Sequence, residues 1–215
     1  RIRAHLPGET GAVAAAVATG DRSALAEPTL IALRVSNLAH LLAISGLHMG
    51  LVAGFVFAAV RFGIACVPWA ALRWPSRKIA AGFALVAAFF YLLLSGNSVA
   101  TERAFVMTAV FLGAIFFDRR ALSLRSVALA ALAVLALRPE ALVSPGFQMS
   151  FAATTALVGV FATIRDREWT LGPQWLRPVS TVVVSSLVAG LATAPFAAAH
   201  FNQISHYGFI ANLLA

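Results

Sequence analysis

Long apolar runs, broken at short intervals by charged or turn-forming residues, constrain this sequence more than any other feature. They occupy residues 40–60, 79–94, 104–117, a stretch beyond Arg125 that ends near Leu137, 147–164 and 178–199, and another begins at 209–215. A bilayer core asks ~20 predominantly apolar residues of a spanning helix, and it leaves backbone polar groups no partner outside that helix. Composition agrees with a lipid-embedded chain: 60% of residues are hydrophobic and 11% charged, against about a quarter charged in ordinary globular domains. The expectation is an all-α polytopic membrane protein with six full transmembrane helices plus the start of a seventh. The run at 209–215 is too short to cross, so this chain is expected to be a piece of a larger protein. No secretory signal is read at the beginning, where Pro7 and Gly8 follow the first basic residues.

Basic residues then suggest an orientation. Arg73, Arg77 and Lys78, then Arg119, Arg120 and Arg125, then Arg165, Arg167 and Arg177 fall in alternate loops, whereas the loops between them hold only Arg103 and Arg138. Short cytoplasmic loops are enriched in Lys and Arg, so the first set is expected inside. Trp69, Trp74, Trp169 and Trp175 lie beside those loops, as interfacial anchors do. The net charge of +8 follows the same rule and does not by itself imply nucleic acid. Residues 1–39 read as a lead-in of two short helices near the outer membrane surface, with Gly20 as a stop and Ser23 as the next N-cap, and residues 40–215 as the transmembrane domain.

Within the first crossing, residues 40–54 carry two imidazoles, His40 and His48, eight positions apart and drifting across one sector of the helix. Ionisable groups at membrane depth face a bundle interior or a wet cavity. Gly46, Gly50 and Gly54 repeat at intervals of four, a pattern that lets a second helix approach closely. Further polar residues gather at the crossing ends assigned to the outside: Asn97, Thr101, Glu102 and Arg103, then Gln148 and Ser150, then His200, Asn202 and Gln203. With Ser45 they form the set expected to line an external mouth leading inward. Simpler roles stand beside that one: ion pairing for Glu102 and Arg103 with each other or with other loops, and interhelical hydrogen bonds for His40, Gln148 and Ser150.

The run His40-Leu41-Leu42-Ala43-Ile44-Ser45-Gly46-Leu47-His48-Met49 resembles the signature of the bacterial competence channel family called ComEC. Thr101-Glu102-Arg103-Ala104 with Met107, Ser144 through Phe151 and the tail from Pro195 to Leu214 are similar to further motifs of that family. Met149 departs from its usual leucine, and Ser36-Asn37-Leu38 from its usual Ser-Gly. The resemblance implies a multi-pass protein of the bacterial cytoplasmic membrane that passes single-stranded transforming DNA inward. Its partners would be that strand, the bilayer, an external DNA receptor and a cytoplasmic ATP-driven motor, with self-association into a homo-oligomer left open. Any nuclease would lie in a domain outside this chain.

Other classes fit the residues less well. An intramembrane serine hydrolase would use Ser45 with a histidine, but Ala43 stands where the rhomboid motif has glycine, and no third orienting group follows. A secondary transporter of a small solute, with a helix broken near Ser45-Gly46, is the other alternative. No cofactor is expected, and no metal, because one cysteine and two histidines eight apart make no ligand set. No phosphate-binding loop is present for ATP. Neutral donors and imidazoles along such a path would hold phosphates weakly, which suits passage.

Overall fold

The structure is a computed structural model that describes residues 6, 8–19, 23–35, 46–96, 98–170 and 172–202. Among them the only regular secondary structure is helical. Two short helices come first, α1 (Glu9–Thr19) and α2 (Glu27–Val35). The Glu9 carboxylate clips them together by accepting from the Ala26 amide at 3.1 Å and from the Thr29 hydroxyl. The second helix therefore starts at Glu27, and the expected N-cap Ser23 lies in the turn before it.

Then follow α3 (Gly46–Ala65), the short α4 (Pro68–Arg73), α5 (Ser76–Leu94), α6 (Val99–Phe116), α7 (Leu124–Leu137), a 3-10 turn (Pro139–Val143), α8 (Pro145–Asp166) and α9 (Arg177–Phe201). Serine starts three of them. Ser98, Ser123 and Ser144 each accept a hydrogen bond from the amide three residues on, satisfying a group the first turn leaves open. Pro145 and Pro178 occupy first-turn positions, where a missing N–H costs nothing. At the far end of α9, Asn202 terminates the helix in the left-handed region, its amide bonded to Ala198 O at 3.1 Å.

Among the described residues five helices, α3, α5, α6, α8 and α9, are long and apolar enough to cross a membrane. The fourth of the six expected crossings is the exception. α7 has 14 residues, about 21 Å at 1.5 Å per residue, against a hydrocarbon core of ~30 Å. It nevertheless brings the chain back, because Arg138 just beyond its end pairs with Glu102 in the first turn of α6. The expected start of a seventh helix at 209–215 falls outside the described residues.

Successive helices pack in series: α3 on α5 and α6, α5 on α6, α6 on α7, α7 on α8, and α8 on α9. Two cores result. Met49 and Ala53 meet Ala84, Ala88, Leu92 and Ala104, and α6 then turns Val106, Val110 and Phe111 towards a second cluster of Val127, Ala130, Val134, Ala141, Phe147 and Phe151. Ala80, Ala84 and Ala88 are wholly buried at intervals of four, so α5 supplies the small face that lets helices approach. The glycines expected to form a seam differ from one another in their surroundings. A Cβ on Gly46 would lie 3.6 Å from Ala104, but on Gly50 or Gly54 it would meet no described atom within 4 Å, and both are exposed. The α3 face that packs carries Met49 and Ala53, while large apolar side chains such as Phe55 and Phe62 point outward, as a lipid-solvated bundle requires.

Candidate functional site

Four helix ends bring their polar residues to one place. Thr101 and the two residues after it open α6, and helical twist sends them to different neighbours. Thr101 is fully buried, its hydroxyl donating to Ser98 O at 2.9 Å, so it closes the helix start and presents nothing to a passage. Glu102 reaches Arg138, with Nε to Oε2 at 2.7 Å and Nη2 to Oε1 at 2.9 Å, a two-pronged pair that ties α6 to the end of α7. Arg103 turns instead to the start of α8. Its guanidinium lies against Gly146 so closely that a Cβ there would stand 2.8 Å from Nη2 and 3.0 Å from Nη1. Glycine is what allows the approach.

Arg103 is half-buried, and its Nε is enclosed with no acceptor among the described residues. No described carboxylate is within ion-pairing distance of it. A guanidinium taken from water without a counter-charge costs several kcal/mol, so this site favours the arrival of an anion. Beside it a cavity of about 30 Å³ opens between Glu102, Arg138 and the apolar Val99 and Val106. That space admits a water but no nucleotide.

A second bridge joins α8 to α9. Gln148 donates from Nε2 to Leu142 O at 3.0 Å, and its Oε1 lies 2.8 Å from His200 Nε2. Since Oε1 only accepts, His200 donates through Nε2 in this bond. Ser150 is half-buried two residues further, and Asn202 is exposed as the helix terminator. His48 is half-buried in the first turn of α3, close in sequence to Gly46 and hence to the Ala104 level of α6.

Of the residues expected at the mouth, the structure thus unites Glu102, Arg103, Gln148 and His200, with Ser150 on the same helix as Gln148 and His48 on α3. His40, Ser45, Asn97 and Gln203 lie outside the described residues. Arg138 and Gly146 were not among the expected site residues. Arg138 was visible as one of only two cations in the poorly basic loops, and Gly146 as the glycine beside Pro145 at a helix start. Among the described residues no three of His, Cys, Asp and Glu are grouped to hold a metal.

Comparison with known proteins adds relatives along almost the whole length. The family model described as Competence protein matches residues 17–215. The chain is 29% identical over 210 residues to ComE operon protein 3 of Bacillus subtilis (strain 168), covering 97% of this chain and 25% of that protein. It is 34% identical over 195 residues to Competence protein ComA of Neisseria gonorrhoeae, covering 88% of this chain and 27% of that protein. Uncharacterized protein YcaI of Escherichia coli (strain K12) is 31% identical over 205 residues, covering 95% of this chain and 26% of that protein. The chain therefore spans about a quarter of the length of the curated relatives it matches. No solved structure matches it.

Proposed function

The chain belongs to the competence protein family, and from that footing we propose that it forms part of an inner-membrane path carrying single-stranded transforming DNA into the cytoplasm. The strand enters where α6, α7, α8 and α9 meet, at the end that faces outward. Arg103 supports this reading most. A half-enclosed guanidinium without a described counter-charge, set among helices that are otherwise apolar, offers a phosphate one strong contact and then little to bind beyond it. One contact per phosphate slows a strand less than a basic groove would.

The Glu102–Arg138 and Gln148–His200 bridges act as clasps across this end. Because the cavity beside them is water-sized, passage of a nucleotide requires these helix ends to part or to open towards walls supplied by other parts of the protein. Capture of duplex DNA outside and ATP-driven pulling inside belong to other components. The chain itself makes and breaks no bonds in this scheme.

Arg103→Gln keeps hydrogen-bonding capacity and removes the charge. Internalisation of labelled DNA is expected to fall at least tenfold at wild-type protein levels, while Arg165→Gln, whose arginine pairs with Asp166 at 3.1 Å elsewhere, leaves it unchanged. Normal internalisation with Arg103→Gln would remove the residue from the path.

A further inference from the structure

The opposite end of α5 and α6 holds a polar feature that the DNA path leaves unused. A pocket of about 320 Å³ lies between the start of α5 and the end of α6, walled by Trp74, Pro75, Arg77, Lys78, Asp118 and Arg119. Its charges do not cancel. Lys78 Nζ holds Asp118 Oδ2 at 2.7 Å, whereas Arg77 and Arg119 have no ion-pair partner among the described residues. The turn that carries Asp118 and Arg119 is anchored on α6, with the Asp118 amide bonded to Ile115 O at 3.2 Å and the Arg119 amide to Ala114 O at 2.9 Å. Two guanidinium groups thus border a concave space on a fixed frame, at the ends of two membrane-length helices.

The surroundings are those of a bilayer interface. In α4 just before the pocket, Trp69 is exposed and Leu72 is 88% exposed. The rings of Trp69 and Trp74 meet edge to face at 5.9 Å, and Arg73 stacks over Trp69 at 5.4 Å. Exposed indole and leucine beside arginine mark the depth where acyl chains give way to headgroups. Ile115 also lines the pocket with Trp74 and Pro75, so one wall is apolar, and in the other Arg77, Lys78 and Arg119 outnumber Asp118 beside Ser76. A ligand with a phosphate and an apolar tail satisfies both walls, and a free anion satisfies only one.

The geometry points to a headgroup site for an anionic phospholipid, with its phosphate between Arg77 and Arg119 and its acyl chains beside Ile115 and Trp74. Basic pockets at helix ends take such lipids because each cation near an anionic headgroup adds about fivefold in affinity. The lipid would fix the α5–α6 end at a set depth in the membrane.

The test offers purified full-length protein phosphatidylglycerol, phosphatidylcholine or inorganic phosphate and counts bound lipid by native mass spectrometry. One phosphatidylglycerol is expected to stay bound under conditions that strip phosphatidylcholine. Arg77→Gln with Arg119→Gln should weaken that retention roughly 25-fold, at about fivefold per cation, with lipid-free melting unchanged. Should the double variant misfold, Arg119→Gln alone gives the reading, with a loss of about fivefold. Equal retention of the two lipids, or unchanged retention in a folded variant, overturns the assignment. Displacement of phosphatidylglycerol by millimolar inorganic phosphate also overturns it, because the pocket would then be a site for free anions.

Discussion

Replacing Gly146 by alanine moves the Arg103 charge without removing it. The added methyl would stand 2.8 Å from Nη2, 3.0 Å from Nη1 and 3.2 Å from Cζ of Arg103. Unstrained non-bonded contact needs about 3.5 Å or more, so the guanidinium must retreat by roughly 0.5–0.7 Å. It can, because the obstructing atoms are the tip of a flexible side chain. Alanine also favours a helix over glycine by about 1 kcal/mol in an interior, and by less in a first turn. The two effects oppose each other, and the net change in stability is expected to lie within about 1 kcal/mol of zero. On the proposed path uptake depends on where the guanidinium stands, so it should fall several-fold, less than with Arg103→Gln. Thermal unfolding in detergent and internalisation of labelled DNA measure the two halves separately. Arg103→Lys in the Gly146→Ala background replaces the wide fork with a narrow ammonium, so the two changes should be coupled by about 0.5–3 kcal/mol in stability. A destabilisation by Gly146→Ala above ~3 kcal/mol would mean that the backbone takes the strain. Wild-type uptake at wild-type stability would mean that the placement of Arg103 does not matter.

Glu102→Ala removes one half of a two-pronged, partly buried pair and should cost about 1–2 kcal/mol by thermal unfolding; adding Arg138→Ala should cost little more, because both changes break the same contact. In the bundle core, Ala84→Leu forces bulk into a wholly buried position of the α5 seam and is expected to destabilise by about 1–3 kcal/mol. Gly50→Leu points a side chain where no described atom stands and should stay within about 0.5 kcal/mol of wild type, so detergent melting that ranks the two the other way would identify the glycine face as the seam.

Fold class is legible in this sequence because a bilayer leaves backbone groups few options. An apolar run of sufficient length has to be a helix there, and α5, α6, α8 and α9 follow their runs to within about five residues at each end. The serines at 98, 123 and 144 refine those ends by capping. Counting apolar residues fails for α7, because the count cannot see that Arg138 turns back to Glu102 and closes a helix of 14 residues. Small-residue spacing leaves a choice for a related reason. Both Gly46-Gly50-Gly54 and Ala80-Ala84-Ala88 carry the interval of four, and only tertiary packing decides which of them meets a partner.

The candidate site was readable as residue types and unreadable as pairs. Glu102, Arg103, Gln148 and His200 stand out as polar residues at the ends of apolar runs. That Glu102 binds Arg138 across 36 positions, and that Gln148 binds His200 across 52, depends on how helices of unequal length align at one end. The neighbours Glu102 and Arg103 invite pairing with each other, yet helical twist sends them to different helices and leaves Arg103 with no described counter-charge.

Passage of the strand past Arg103 is tested most directly by photo-cross-linking a DNA strand stalled in transit. A photoactivatable residue at Val99, exposed and lining the same cavity as Arg103, reports on the mouth, and one at Leu191, 66% exposed midway along α9, reports on the outer apolar surface. Entry at the α6–α9 mouth predicts a single-stranded DNA adduct at 99 and none at 191. Absence of an adduct at 99 while uptake proceeds, or equal yields at the two positions, would contradict it.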